Sequence, residues 1–230
     1  MLKDTAILIF SRTAGQEVLH KQLADNGQTN ASLCQALHNQ TINTAAKTNL
    51  PILDYSKQQQ SGNCFAHNIT EAIAMGFSKG YKHLIVIGAD CPNLTKNHLT
   101  TAYIALQQGN NVVAGQDRRG GIYLLGISKN VFEAASFLQF SWQTNKLFGE
   151  IKNYASLYNF LRLNAVLSDI NSKNDVVKSM SLFQCNIAWR SLLLEFSLFV
   201  KVIQFKNALF IDAFTFTSTQ ILRGPPSVCQ

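Results

Sequence analysis

Charge is scarce in this chain. Only 14% of its 230 residues are Asp, Glu, Lys or Arg, against 47% hydrophobic. That balance excludes a disordered polymer and leaves enough apolar side chain for a sizeable core. Cations outnumber anions by 20 to 13, for a formal charge of +7, but they are scattered and no block of one sign occurs. Basic and aromatic residues do not interleave on one face, so nucleic acid is not an expected partner. The surplus reads either as a mildly basic surface or as a preference for an anionic ligand such as a nucleotide or sugar phosphate.

Other signals are missing too. Cys34, Cys64, Cys91, Cys185 and Cys229 form no CxxC pair and are odd in number. This argues against a zinc site and a disulfide framework, and fits a reducing cytoplasm. The one stretch resembling a membrane segment, residues 192–202, is broken by Glu195 and Lys201 and falls short of the roughly 20 apolar residues a span needs. The apolar run at residues 6–10 is too short for a signal peptide, and no small-residue cleavage site follows it. A soluble protein is expected. GxGxxG, the P-loop, HExxH and the nucleophile elbow are all absent.

What the chain does have is alternation. Short apolar runs at residues 6–10, 50–54, 84–87 and 111–115 read as buried strands. Between them lie helical patterns: residues 32–47, a face made by Phe65, Ile69, Ala72, Ile73 and Gly76, and residues 95–107 with Thr95 as N-cap. Residues 11–16 and 58–62 read as loops. This β-α-β-α-β-α-β order predicts parallel strands joined by right-handed crossovers. Further on come a strand at 122–127, a short helix at 131–140, a helix start at 141–144 and a strand at 164–170 ending near Asp169. Asn171 or Ser172 caps a helix reaching residue 180. The expected organisation is one α/β domain over 1–180. Residues 181–230 form an aromatic-rich extension packed on it, with a possible hairpin turning at Lys206-Asn207.

Chemistry is best sought at Asp90, just past the strand 84–87, because ligands bind at that edge of open α/β sheets. Its carboxylate reads as a ligand for a divalent metal or a ribose hydroxyl, or equally as a cap for the turn before Pro92. Gly120-Gly121, ahead of the next strand, permits close approach of a ligand, or else a bulge or tight turn. Trp142, with Gln143 and Thr144, reads as a pocket wall or as core. Asp169 repeats the strand-end pattern, with turn capping as the stronger reading. His98 falls in the first turn of its helix, on the surface. No residue declares itself catalytic.

Five segments together resemble a family. They are AILIFSR at 6–12, Gln60-x-Gly62 with the helix after it, IGADCPNLT at 87–95, GQDRRGGIYLLGI at 115–127 and FSWQT at 140–144. In this order they resemble a bacterial glycosyltransferase-A-like family of unknown function in the nucleotide-diphospho-sugar transferase superfamily, over roughly residues 5–175. The closing ILRGPP resembles the tail of one branch. The resemblance implies a three-layer α/β/α sandwich with a mostly parallel, Rossmann-like sheet. It also implies a nucleotide or nucleotide-sugar pocket at the strands' C-terminal edge, assisted by Mg²⁺ or Mn²⁺. Asp90 would face the ribose or metal, Gly120 and Gly121 the sugar or diphosphate, with Trp142 nearby and Arg12, Lys21 and Arg119 completing the binding set. The implied activity is glycosyl transfer from a nucleotide sugar, or a related nucleotidyl transfer. The alternative is a binding or regulatory protein that kept the pocket without turnover.

The chain departs from the family pattern in three places. Related sequences carry Asp directly before the glycine pair, where Arg119 stands here. That exchanges a metal ligand for a fixed cation able to hold phosphate bidentately, and leaves Asp117 as a weak substitute ligand. The family's Lys-Thr-Arg segment is absent, with only Lys21 in a comparable region. An Arg common at the start of the second helix is Asn68.

Overall fold

Alternate residues of the central strands point into two separate cores, which is what makes the apolar runs continuous. In the computed structural model, which describes residues 4–55 and 64–180, Ala6, Leu8, Leu84 and Val86 face one core. Ile7, Ile9, Ile85 and Ile87 face the other. A sheet buried on both sides needs helices on both sides. In chain order the elements are β1 (Thr5–Ile9), α1 (Ala14–His20), α2 (Gly27–Ala46), β2 (Ile52–Asp54), α3 (Phe65–Ser78), β3 (His83–Ile87) and α4 (Lys96–Gln107). There follow β4 (Val112–Gln116), β5 (Ile122–Ser128), a 3-10 turn at Lys129–Val131, α5 (Ala134–Gln139), α6 (Leu147–Ala155), β6 (Phe160–Arg162) and α7 (Lys173–Met180).

The six strands lie in the order β2-β1-β3-β5-β4-β6. β1 pairs parallel with β2 and β3, and β4 parallel with β6. β5 runs antiparallel between β3 and β4. The expected three-layer, mostly parallel sandwich is therefore present, with α3, α5 and α6 on one face and the buried sides of α2 and α4 on the other. A third cluster, Leu23, Leu33, Leu37, Ile170 and Val176, fastens α1, α2 and α7 together beside the sheet. No helix among the described residues is long and apolar enough to cross a membrane.

Several local expectations change. Residues 11–16 are not all loop: Thr13 and Gln16 form a reciprocal capping box that starts α1 at Ala14. α2 begins five residues earlier than residue 32, because the Asn26 side chain accepts from the amides of Gln28 and Thr29. The first turn it caps is polar, so hydrophobic periodicity does not reveal it. Residues 131–140 hold only the short α5, since Phe132 and Glu133 are extended. The helix expected from 141 starts at Leu147; before it, Ser141–Thr144 forms a turn in which Gln143 has φ +63°. Residues 164–170 are not a strand. β6 lies earlier, and the chain then leaves the sheet, touching it again through one bridge from Leu167 to Asp117. Cys34 and Cys91 are free buried thiols. Cys64 is disulfide-bonded, although the spacing and odd number of cysteines argued against a disulfide framework. The 58–62 loop, the 181–230 extension with its hairpin, and the ILRGPP tail lie outside the described residues.

α3 lies so close to β3 that a Cβ built on Gly76 would meet Leu84 Cδ1 at 2.7 Å. Leu84 is fully buried. Leu84→Ala is expected to lower stability by about 3 kcal/mol, and Gly76→Ala by roughly 1–2 kcal/mol through overpacking. In the Leu84→Ala background, Gly76→Ala should become neutral or stabilising, since the room is then available and Ala is the better helix former by about 1 kcal/mol. Urea denaturation of the four proteins measures this coupling, and additive losses would contradict the close packing.

Candidate functional site

The C-terminal ends of β1 and β3 and the start of β5 open into one cavity of about 370 Å³. Its position follows from topology, because three chain segments leave the sheet at that edge. β1 delivers Phe10 and Arg12, and β3 delivers Gly88 to Asp90. The β4–β5 connection brings Asp117, Arg119 and Gly121, and α1 ends with Lys21 at the rim. Phe65 and Ile69 of α3 and Trp142 close one side, and Cys34, Leu37 and His38 of α2 the other. Phe10 meets Phe65 edge-on at 5.2 Å between ring centroids, and Phe65 meets Trp142 at 5.9 Å. The lining thus combines packed aromatic rings with charged side chains.

Of the residues expected from the sequence, Arg12, Lys21, Asp90, Asp117, Arg119, Gly121 and Trp142 all line this cavity, whereas Gly120 does not. The two glycines serve the protein's own packing. Gly120 has φ +86°, and a Cβ there would lie 2.3 Å from the Asn145 carbonyl oxygen. A Cβ on Gly121 would lie 2.6 Å from Asp117 Oδ2. Asp117 thereby folds back and accepts hydrogen bonds from the amides of Arg119 (2.6 Å) and Gly121 (2.8 Å) through Oδ1. Trp142 is 6% exposed and donates from Nε1 to the Phe137 carbonyl at 2.8 Å, so it is core and wall at once.

Arg119 pairs with Asp175 at the start of α7. Asp175 also accepts from the Asn171 amide and the Ser172 hydroxyl. Burial opposes the charge on this carboxyl, but the hydrogen bonds from Arg119, Asn171 and Ser172 prevail and hold it below its usual range. Arg119 thus ties the loop after β4 to the segment carrying Asp169. Asn68 is buried in α3.

Asp169 belongs to the site, where its sequence context favoured a turn cap. The Ile170 amide donates to the Asp90 carbonyl at 2.7 Å, setting Asp169 beside Asp90 across the strand end. Asp169 Oδ1 is shut off from solvent and has no hydrogen-bond partner. Burial, then the charges of Asp90 and Asp117, push its carboxyl well above the usual range, with Lys21 offsetting them in part. Lys21 lies 3.2 Å from Asp90 Oδ2 and 3.3 Å from Glu17 Oε2. Burial works against its charge, yet those two carboxylates prevail and raise it above the ordinary lysine value.

Asp90 and Asp169 offer hard oxygen donors of the kind that suits Mg²⁺ or Mn²⁺, and the partnerless Asp169 oxygen fits a cation's presence. Among the described residues, no three His, Cys, Asp or Glu side chains are arranged to enclose an ion. One or two carboxylates completed by ligand phosphates and water is the usual Mg²⁺ pattern. Asp117, named as a weak ligand from the sequence, has one oxygen already taken by its loop.

Residues 13–144 match the model of a family described as "Uncharacterized protein conserved in bacteria (DUF2064)". No curated protein matches the sequence. Among solved structures, a protein from Desulfovibrio desulfuricans G20, provisionally assigned as a nucleotide-diphospho-sugar transferase, superposes with a TM-score of 0.70 at 17% identity. That match covers 87% of this chain and 98% of the other, and it shows that the two share a fold. Rv0371c from Mycobacterium tuberculosis H37Rv gives 0.47 at 11% identity over 76% and 95% of the two chains. A cytidylyltransferase from Leptospira borgpetersenii gives 0.41 at 11% identity over 94% and 100%.

Asp169 also sets a pH dependence. Its folded-state carboxyl titrates well above the ordinary 3.8, so between those values the folded protein binds more protons than the unfolded chain. Its contribution to stability therefore falls as pH rises through that window. Asp169→Asn is expected to raise the melting temperature at pH 7–8 by about 2–4 °C, on the order of 1 kcal/mol for a domain of this size. The gain should vanish towards pH 4, as melting curves across that range will show.

Proposed function

The chain belongs to the bacterial family DUF2064, and we propose that it is a nucleotide-sugar-dependent glycosyltransferase, or a related nucleotidyltransferase, acting at the C-terminal edge of its sheet. The observation that carries this reading is the mixed lining of one cavity. Lys21, Arg12, Asp90 and Asp169 line it together with Phe10, Phe65 and Trp142. A ligand with a diphosphate at one end and ring systems at the other is complementary to that arrangement.

In glycosyl transfer, the bond between the sugar's anomeric carbon and a diphosphate oxygen breaks and its electron pair leaves with the nucleoside diphosphate. A bond then forms from the anomeric carbon to an acceptor oxygen, which gives up its proton. Negative charge grows on the diphosphate, so cations already fixed in a partly dry site favour the transition state over the ground state. Lys21 and Arg12 are suited to meet that charge. Mg²⁺ or Mn²⁺, held by Asp90 and Asp169, would supply further positive charge to the same oxygens. The aromatic wall would orient the rings and keep water from the anomeric carbon.

Binding without turnover is the second reading. It is favoured by Arg119, which stands where related sequences have a carboxylate and is engaged with Asp175.

A thermal-shift screen of nucleotides and nucleotide sugars, each with Mn²⁺, Mg²⁺ or chelator, tests the proposal. A ligand at about 100 times its dissociation constant stabilises the fold by roughly 2.7 kcal/mol. One nucleotide sugar is expected to raise the melting temperature in a metal-dependent way, with the rise lost in Asp90→Ala. Hydrolysis or transfer from that ligand would set the enzyme apart from the binding protein. No shift with any ligand, or an undiminished shift in Asp90→Ala, would overturn the assignment.

A further inference from the structure

Lys21 is held where a divalent cation would need to sit. Its ammonium contacts Asp90 Oδ2, and with its side chain only 15% exposed it has little water to exchange for that contact. It is tethered just past the end of α1, where its amide bonds the Glu17 carbonyl, on a flexible four-carbon stem. Beside Asp90 lies Asp169, whose Oδ1 is buried without a hydrogen-bond partner. The protein's own cation therefore contacts one carboxylate of the pair directly and acts on its neighbour only from a distance.

The other half of the arrangement is Glu17. It contacts Lys21 through Oε2 and, through Oε1, lies 3.7 Å from Arg12 Nη1. If Lys21 swings off Asp90, Glu17 keeps a cation and only Asp90 loses one. We infer that Lys21 is a tethered counter-ion that excludes divalent metal from Asp90 and Asp169 until a phosphate-bearing ligand draws the ammonium away. Metal and diphosphate then enter together, each raising the other's affinity by the same factor. In that state the metal would lie against Asp90 and Asp169 while Glu17 retains Arg12. This rests on reading the cavity as a diphosphate site, and it adds an order of events to it.

The test is Mn²⁺ binding followed by the electron paramagnetic resonance of free Mn²⁺, on the full chain without any turnover assay. Wild type should take up Mn²⁺ alone weakly, and Lys21→Arg should behave like it. Lys21→Met and Lys21→Gln should bind Mn²⁺ alone at least tenfold more tightly, and adding Asp90→Asn to Lys21→Met should remove that gain. Inorganic pyrophosphate should strengthen Mn²⁺ uptake at least tenfold in wild type and far less in the neutral variants. Neutral variants that fold, by circular dichroism, yet bind Mn²⁺ no better than wild type would overturn the inference. So would a gain that survives Asp90→Asn. If neither neutral variant folds, the wild-type pyrophosphate experiment decides, and absence of synergy overturns it. A Mn²⁺ gain in a chain that no nucleotide stabilises would sink the nucleotide reading and spare this one; nucleotide binding without the gain would do the reverse.

Discussion

Three carboxylates, Asp90, Asp117 and Asp169, converge at the end of β3, and the neighbourhood is shaped by the need to hold like charges together with little water. Each is stabilised differently. Asp117 is satisfied by the backbone of its own loop, through two amides that a glycine at 121 leaves within reach. Asp90 has Lys21. Asp169 has no direct cation contact, and burial together with the charges of Asp90 and Asp117 pushes its titration up. An amide at this position would remove that charge repulsion, so the carboxylate is held here at a cost to stability.

Holding this cluster in place requires long-range ties more than local ones. Ile170 bonds across to Asp90, Arg119 reaches Asp175, and Gln40 of α2 donates to the Pro92 carbonyl. Each tie links segments far apart in sequence at the same edge of the sheet. The aromatic side is organised by packing instead: a run of ring contacts leads from Phe10 through Phe65 and Trp142 to Phe137 and Tyr154. The cavity lining is therefore set partly by charge and partly by shape.

Much of this could be read from the residues. The buried strands announced themselves because doubly covered strands are continuous apolar runs, and Asp90 was legible because it follows such a run directly. Thr95 was legible as a cap by residue type and spacing. What escaped depended on contacts the chain makes far away. Asp169 sits in a stretch whose Ala165, Val166 and Leu167 mimic a strand, yet Val166 is 38% exposed and the segment is held mainly by its cross-links. The polar first turn of α2 lacks the periodicity that betrays a helix. Arg119 looked like a ligand-facing cation, and only the tertiary position of Asp175 reveals its partner.

The antiparallel β5 has one further effect. β1 and β3 each lead away from the cavity edge into a helix before the chain returns, but β4 and β5 are joined at that edge by the residues 117–121 alone. Sequence drift in this short connection would alter the mouth of the cavity without touching either hydrophobic layer. The connection also serves the fold, since Asp117 and Gly120 shape its turn. A change here therefore reshapes the cavity mouth only where it leaves that turn intact.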